Sequence, residues 1–311
     1  MKKILITGGA GFIGSHLSRY LIKNKYNVTV MDNLYTGNIN NIKFLLKLKN
    51  FKFIKADINK KLNLEKHDFI FNLASPASPK FYQLDPIKTI KTNVIGTINI
   101  LDYAIKYNTP ILQASTSEIY GDPKEHPQNE NYWGNVNPIG IRSCYDEGKR
   151  CAETIFFDYY REKKLPIKVV RIFNTYGPHM QPDDGRVVSN FIIQATNNKP
   201  ITIYGKGKQT RSFCYIDDLI RGLFNYMKLK NNYTGPINIG NPDEISILHL
   251  AKLIIKLTNS KSKIVYKKMP LDDPFLRKPN INKAKKYLKW KPKIQIKEGL
   301  NKTIRFFNSI D

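Results

Sequence analysis

A run of glycines near the start of the chain limits most what it can fold into. Gly8, Gly11 and Gly14 recur at three-residue spacing directly after the apolar, β-branched run 3–7. Such glycines permit a tight turn, close approach of the backbone to a pyrophosphate, and close packing of a helix on a strand. Apolar residues at helical spacing follow from Leu17. The segment therefore predicts a strand, a turn and a helix that together bind a dinucleotide.

Further predicted strands end in polar residues. They span residues 27–31, 51–56, 68–74 and 110–114. Asp32 follows the first of them, where a carboxylate accepts hydrogen bonds from the adenosine ribose and repels a 2′-phosphate. NAD is therefore favoured over NADP.

Strands that alternate with helices predict an α/β fold, a doubly wound parallel-sheet Rossmann domain with its ligand at the carboxyl ends of the strands. We expect this NAD-binding domain over residues 1–175, with a return segment near 213–240, and a smaller C-terminal α/β substrate domain over 176–311. Asp85 and Pro86 predict a helix start. Its expected buried stripe is Ile87, Ile90, Val94, Ile98 and Leu101.

The strongly basic composition has two interpretations. The chain carries 51 Lys and Arg against 25 Asp and Glu, a formal net charge of +26. Such a charge suits a nucleic-acid or anionic-membrane partner. The lysines are spread along the whole chain without an aromatic and basic RNA-binding signature, which favours an ordinary basic surface and no nucleic-acid partner. A positive field would still attract a diphosphate substrate.

The cysteine, histidine and hydropathy patterns argue against a disulfide-linked, metal-binding or membrane-spanning protein. Cys144, Cys151 and Cys214 form no CxxC pair, and the five histidines show no metal-ligand spacing. No apolar run approaches the roughly 18 residues that span a bilayer. We expect no metal, no membrane partner and a reducing, cytoplasmic location.

A tyrosine and a lysine four residues apart carry the predicted chemistry. Tyr145 and Lys149 share one helix face, and a nearby ammonium lowers the pKa of a phenol toward that of a usable general base. Alone, this spacing is typical of a surface pair. With the glycine turn and the strand-end hydroxyl of Thr116, it indicates an oxidoreductase site. Cys144 suits a small structural residue better than a nucleophile, and Glu118 is open between a catalytic carboxylate and a solvated charge.

Long motifs along nearly the whole chain resemble the UDP-glucuronate decarboxylase (UDP-xylose synthase) family of extended short-chain dehydrogenases/reductases. They are SPASP (75–79), DPIKT (85–89), TSEIYGDP (116–123), NVNPIG (135–140), RSCYDEGKR (142–150), RIFNTYGP (171–178), DGRVVSNF (184–191) and QTRSF (209–213). One departure is His179, where that family usually has arginine.

The resemblance implies roles for particular residues. Thr116 would hydrogen-bond the substrate oxygen, Tyr145 would take the proton as hydride leaves, and Lys149 would also hold the nicotinamide ribose. The decarboxylation step would use Ser117, Glu118 and Arg277. The expected cofactor-binding residues are Gly8, Gly11, Phe12, Ile13, Gly14, Asp32, Asn33, Asp57, Ile58, Leu73, Ala74, Ser75, Tyr145 and Lys149. The expected UDP-sugar-binding residues are Asn174, Arg186, Val188, Tyr204, Lys208, Arg211 and Arg277.

The implied reaction converts UDP-glucuronate to UDP-xylose and CO₂ through a 4-keto intermediate, with NAD regenerated in place. One alternative is an oxidative decarboxylase that releases a UDP-4-keto-pentose and NADH. Another is a UDP-sugar epimerase or dehydratase; Ser117 disfavours dehydration because related dehydratases carry an acidic aspartate there, and epimerisation does not need Glu118. A non-catalytic NAD-sensing protein is a third. The resemblance also implies a homodimer that pairs the helices following Asp85 and Ser143.

Overall fold

The strands of the main sheet all run parallel, in the order of a doubly wound fold. The computed structural model describes residues 1–183, 185–269 and 274–309. Its strands are β1 (Lys3–Thr7), β2 (Asn27–Asp32), β3 (Phe51–Lys55), β4 (Phe69–Asn72), β5 (Ile111–Thr116), β6 (Ile167–Ile172), β7 (Thr175–Tyr176), β8 (Ile201–Tyr204), β9 (Thr210–Ser212), β10 (Cys214–Tyr215), β11 (Ile237–Ile239), β12 (Glu244–Ser246), β13 (Ile264–Lys267) and β14 (Leu276–Arg277). The main sheet has the order β11-β6-β5-β4-β1-β2-β3. The predicted α/β doubly wound sheet is confirmed.

Helices cover both faces of this sheet. They are α1 (Phe12–Lys23), α2 (Pro79–Leu84), α3 (Pro86–Tyr107), α4 (Ser143–Lys163), α5 (Val187–Thr196), α6 (Ile216–Lys228), α7 (Ile247–Thr258), α8 (Asn282–Leu288) and α9 (Ile296–Phe307), with short 3₁₀ helices at Ile39–Asn41, Leu45–Lys47 and Ser117–Tyr120. Alternate side chains of a strand point to opposite faces. Ile4 and Ile6 accordingly share a core with Leu17 of α1, whereas Leu5 packs in a second core with Leu101 of α3.

The apolar stripe predicted to be buried on α3 mostly faces outward, so that prediction is wrong. Ile87 is 65% exposed, Ile90 39% and Ile98 37%, and only Leu101 of the predicted stripe is fully buried. The packed face carries small and polar side chains, namely Thr89, Thr92, Asn93, Gly96 and Thr97. Small residues let α3 pack closely on α4, which leaves the branched aliphatic side chains at the surface.

The later part of the chain forms small sheets and also adds one strand to the main sheet. β10 pairs with β7, β9 lies between β12 and β14, and β13 pairs with β8. β11, which precedes β12 to β14 along the chain, joins the main sheet beside β6 in parallel register. The division into domains at residue 175 stays a prediction. Asp184, the first residue of the 184–191 motif, lies outside the described residues.

A buried ion pair links α4 to β6. The Arg171 guanidinium donates to both carboxylate oxygens of Glu153, over 3.0 Å from Nε and 2.8 Å from Nη2. Its Nη1 donates to the Tyr120 hydroxyl and to the Glu130 carbonyl. Both side chains of the pair are 10% exposed, so each buried charge is compensated mainly by the opposite charge of its partner.

Replacing Glu153 with alanine is expected to lower the free energy of unfolding by about 3–5 kcal/mol, because Arg171 would be left as an uncompensated buried charge. Glu147→Ala is the matched control, since Glu147 pairs with Arg150 on the same helix but at 35% and 36% exposure. Its expected cost is about 0–1 kcal/mol. Urea denaturation of both variants measures the difference. Equal costs would contradict the assignment of Arg171 and Glu153 as a buried structural pair.

Candidate active site

A cavity of about 670 Å³ lies at the carboxyl ends of the parallel strands, where a doubly wound sheet binds its ligands. The residues expected from sequence that line it are Gly8, Gly11, Phe12, Ile13, Gly14, Asp32, Asn33, Ile58, Leu73, Ala74, Ser75, Thr116, Ser117, Glu118, Tyr145, Lys149, Asn174, Arg186, Val188, Tyr204 and Arg211. Among the described residues, the expected site residues Asp57, Lys208 and Arg277 do not line this cavity.

The glycine turn between β1 and α1 has no room for side chains. Gly8 has φ 69°, and a Cβ there would lie 2.8 Å from the Ala74 Cα. A Cβ on Gly14 would lie 2.5 Å from the Gly8 carbonyl oxygen. Gly11 caps α1, so the first backbone N–H groups of that helix face the cavity. This arrangement fits a pyrophosphate, because the turn admits its oxygens close to the backbone and the helix end attracts negative charge.

Asp32 closes the cavity at the end of β2. Its Oδ2 accepts a hydrogen bond from Ala10 N at 2.9 Å and its Oδ1 accepts one from Leu34 N at 2.8 Å. Burial raises the pKa of this carboxyl, while the two backbone hydrogen bonds act in the opposite direction. Two backbone donors thus fix the carboxylate where ribose hydroxyls would meet it.

Asp57 lies one step behind the cavity wall. Its Oδ2 accepts from Asn33 Nδ2 at 2.9 Å, and its Oδ1 accepts from Asn59 N at the same distance. Asp57 is thus placed to hold the Asn33 side chain, which does line the cavity.

Thr116, Tyr145 and Lys149 meet at the junction of β5 and α4. All three are buried, and the Tyr145 and Thr116 side chains are hydrogen-bonded to each other. Lys149 Nζ donates to the Ala114 carbonyl at 2.9 Å and lies 5.9 Å from the centre of the Tyr145 ring. The strand end and the first turn of the helix thus bring a phenol, a hydroxyl and an ammonium together.

The expected lowering of the Tyr145 pKa is not found. Burial raises the pKa of Tyr145 to about 12, and the hydrogen bond with Thr116 only partly offsets this. Burial also lowers the pKa of Lys149 to about 8. Desolvation disfavours both charged forms, and the ammonium is directed at a backbone carbonyl. The prediction from spacing alone was therefore wrong for this structure.

Glu118 is held by two arginines and is not a solvated surface charge. Its Oε2 lies 2.5 Å from Arg142 Nη2 and 3.3 Å from Arg277 Nη2. Arg277 is 1% exposed and also donates to the Ser117 carbonyl at 2.7 Å. Burial acts to raise the pKa of Glu118, but Arg277, Arg142 and Arg211 outweigh it and hold that pKa well below its usual value. Glu118 therefore stays ionised beside Ser117, with Arg277 behind the cavity wall.

Arg142 and Asp146 were not singled out from sequence. Arg142 Nε lies 3.8 Å from Asp146 Oδ2, so one guanidinium faces both Asp146 and Glu118. Burial, and then repulsion from Glu118, raise the pKa of Asp146. One available signal was the position of Arg142 at the N-terminus of α4, which is unfavourable for a cation. A carboxylate elsewhere had to compensate for it.

Tyr82 was also missed. Its ring stacks on that of Tyr145 with centres 5.0 Å apart and planes within 6°. The Cys144 thiol donates to the Tyr82 carbonyl at 3.4 Å, and burial raises the thiol pKa. A thiol with a raised pKa is a poor nucleophile, which agrees with a structural role for Cys144.

The residues expected to bind the UDP moiety are placed unevenly. Asn174, Val188 and Arg211 line the cavity, and Arg211 also donates to the Pro274 and Phe275 carbonyls. Tyr204 is 45% exposed at the same cavity. Lys208 is exposed and lies off it, so the structure does not bring this lysine to the other candidates.

The chain is similar to known proteins over nearly its whole length. The family model described as GDP-mannose 4,6 dehydratase matches residues 5–303. UDP-glucuronic acid decarboxylase 1 of Danio rerio is 51% identical over 307 residues, which are 99% of this chain and 73% of that protein. UDP-glucuronic acid decarboxylase 3 of Arabidopsis thaliana is 54% identical over 299 residues, 96% of this chain and 86% of that protein.

Two solved structures of similar fold are UDP-sugar 4-epimerases. A UDP-glucuronic acid 4-epimerase from Bacillus cereus, in complex with UDP-glucuronic acid and NAD, is 30% identical with a TM-score of 0.89, covering 99% of this chain and 100% of that one. A UDP-glucose 4-epimerase from Thermotoga maritima with UDP-glucose is 31% identical with a TM-score of 0.91, covering 99% of each chain. The two sequence relatives described above, at about half identity, are named UDP-glucuronic acid decarboxylases. The chain belongs to the UDP-glucuronic acid decarboxylase family.

Proposed function

We propose that this protein is an NAD-dependent carboxy-lyase that converts UDP-glucuronate to UDP-xylose and CO₂. The observation that carries the proposal is the position of Glu118 and Ser117, held by Arg142 and Arg277, beside the Tyr145–Thr116 pair in one cavity. Similarity to decarboxylases over 96–99% of this chain supports the same reaction.

Oxidation at C4 of the sugar makes the carboxylate labile. Tyr145, acting as the phenolate, takes the proton of the C4 hydroxyl, and Thr116 holds the same oxygen through a hydrogen bond. The glycine turn and Asp32 would hold NAD, which would accept the hydride from C4 and later return it. Lys149, whose Nζ lies 5.9 Å from the Tyr145 ring centre, would hold the nicotinamide ribose. The product of this stage is a ketone β to the C6 carboxylate.

Decarboxylation, protonation at C5, return of the hydride to C4 and return of the Tyr145 proton to the C4 oxygen complete the conversion. The C5–C6 bond breaks, CO₂ leaves, and its electron pair becomes an enolate conjugated with the C4 oxygen. C5 then gains one proton, so the net reaction consumes one proton per CO₂ released. Ser117 and Glu118 orient the sugar beside this bond, and Arg277 fixes Glu118 and the Ser117 backbone from behind. A serine hydroxyl at 117 is a poor acid, which disfavours loss of a hydroxyl group instead.

The substrate would lie across the remaining part of the cavity. Asn174, Val188 and Arg211 line this part, with Arg186 beside the Ala77 carbonyl. Guanidinium groups suit a diphosphate, and Tyr204 offers an aromatic face to a uracil. Lys208 lies off the cavity, so it would act on the substrate only through its positive charge at a distance.

The direct test is turnover of UDP-glucuronate by the purified protein. The expected products are UDP-xylose and CO₂ in equal amounts, identified by chromatography and mass spectrometry, with no turnover of UDP-glucose, which lacks the carboxylate. Turnover of another UDP-sugar without any turnover of UDP-glucuronate would move the protein to a different activity of the same fold.

We also propose a homodimer that pairs α3 and α4 of two copies. Ile87, Ile90, Val94 and Ile98 recur at helical spacing on one face of α3, and three of them are at least 37% exposed. A contiguous aliphatic face of this kind is typical of an interface. A second copy of the chain would cover it with the same face, as a two-fold interface requires.

Replacing Ile87 and Ile98 together with lysine is expected to weaken the dimer by at least about a hundredfold, because charges would have to be desolvated in the interface. Leu46→Lys is the matched control, since Leu46 is 45% exposed and lies outside α3 and α4. Light scattering across a concentration series measures the dimer. A double variant that stays dimeric would place the interface elsewhere.

We propose a cytoplasmic location. Cys144, Cys151 and Cys214 are all free thiols, which fits a reducing compartment. Among the described residues, no helix has the length and apolar character needed to cross a membrane.

A further inference from the structure

A histidine and an arginine connect the loop after β7 to α1. His179 Nε2 lies 2.6 Å from Arg19 Nη1. The imidazole is wedged between two other rings, with its centre 4.4 Å from that of Phe306 and 5.5 Å from that of His16. His16 in turn makes a 2.9 Å hydrogen bond with the Pro178 carbonyl. The loop is therefore tied to α1 at two points.

Arg19 extends this contact to the glycine turn. Its Nη2 donates to the Asn41 carbonyl at 2.8 Å, and Asn41 Nδ2 donates to the Ala10 carbonyl at 3.0 Å. Ala10 lies between Gly8 and Gly14, and its N–H is already fixed by Asp32. A continuous chain of hydrogen bonds thus runs from His179 through Arg19 and Asn41 into the turn. Both ends of this chain, His179 and the turn, line the cavity.

The contact requires a neutral histidine. A guanidinium has donors only, so the imidazole nitrogen that faces it must carry a lone pair, which only the neutral ring offers. Burial and the charge of Arg19 lower the pKa of His179 to about 4. A permanent cation at position 179 would face Arg19 as a like charge within hydrogen-bond distance, which is unfavourable in a half-buried site.

We propose that His179 and Arg19 are positioning residues that brace the glycine-rich turn in the shape that binds the dinucleotide. Arg19 does not line the cavity, so it acts through Asn41 and the turn and not through a contact of its own. The inference rests on the proposed NAD binding. With arginine at position 19, the residue at position 179 must be a neutral hydrogen-bond acceptor. A cation at position 179 is compatible only with an acidic residue at position 19.

The test is the rate at which NAD leaves the holoprotein, measured by exchange of bound NAD for labelled NAD. His179→Arg is expected to speed release by at least about tenfold, the factor that corresponds to losing one hydrogen bond of ordinary strength. Arg19→Glu alone should also speed it. The double variant Arg19→Glu with His179→Arg should restore slow release, because a carboxylate then faces the new cation.

His249→Arg is the matched control, since it makes the same substitution at an exposed position on α7. His179→Arg with wild-type release, or a double variant no better than the worse single variant, would overturn the brace. If His179→Arg does not fold, His179→Gln and His179→Leu decide: glutamine keeps an acceptor and should retain NAD, leucine should not, and equal release from both overturns the proposal. A wild-type protein that binds no NAD would instead refute the proposed function itself.

Discussion

Replacing Tyr145 with phenylalanine is expected to lower kcat by about 10²–10⁴-fold, because this change removes only the hydroxyl that exchanges the C4 proton. The aromatic ring stays, and with it the stacking on Tyr82. KM for UDP-glucuronate should therefore change little. Steady-state kinetics with the purified variant separate the two parameters.

Tyr159→Phe is the control for this variant. Tyr159 lies on the same helix, and its hydroxyl hydrogen-bonds an exposed Asp102 at 2.6 Å. Its removal should leave kcat unchanged. A Tyr145→Phe enzyme that keeps more than about a tenth of wild-type kcat would remove Tyr145 from the chemistry, since general acid–base groups contribute far more than that.

Glu118→Gln is expected to lower kcat by about 10²–10³-fold, the usual effect of removing one preorganised electrostatic group. The amide has the shape of the carboxylate but leaves Arg142 and Arg277 facing no charge. Because Thr116 and Tyr145 are untouched, oxidation at C4 should persist while loss of CO₂ slows. Rapid quenching of a single turnover should then show a UDP-4-keto-glucuronate that the wild-type enzyme does not accumulate.

Glu244→Gln is the matched control for this variant. Glu244 is a carboxylate of similar exposure, 20% against 17%, and it also faces two basic side chains, Lys278 at 3.2 Å and His126 at 3.1 Å. It lies off the main cavity, so kcat should stay unchanged. Equal losses in both variants would point to general destabilisation.

Local sequence signals predicted the parts of the site that one segment builds alone. The spacing of Gly8, Gly11 and Gly14 requires a turn without side chains, and the structure has no room for a Cβ at two of these positions. Asp32 lies at the end of β2 because the strand that carries it is short and apolar. These features depend on neighbours within a few residues, so a single sequence is enough to find them.

Local sequence signals do not predict contacts between residues far apart along the chain, and only the family resemblance grouped Glu118 with Arg277. Glu118 meets Arg142 and Arg277, which lie 24 and 159 positions away along the chain. Only the fold brings them together, and judged locally Arg277 would be a surface cation. The prediction of a lowered Tyr145 pKa is wrong for a related reason. Spacing indicates that an ammonium lies near the phenol, but it does not show that both groups are buried.

The apolar stripe on α3 shows a different limit of prediction from sequence. Helical spacing of Ile87, Ile90, Val94 and Ile98 indicates an apolar face and does not say what covers it. The structure places that face outward, which leaves a second copy of the chain as its proposed cover. Amphipathic patterns alone do not distinguish a core from an interface.

The hydride removed from C4 is expected to return to the same carbon within one catalytic cycle. The measurement is turnover of UDP-glucuronate deuterated at C4, with bound NAD and the products analysed by mass spectrometry and NMR. We expect UDP-xylose that retains the deuterium at C4, with no accumulation of NADH. A UDP-4-keto-pentose released together with deuterated NADH would contradict the account and identify an oxidative decarboxylase.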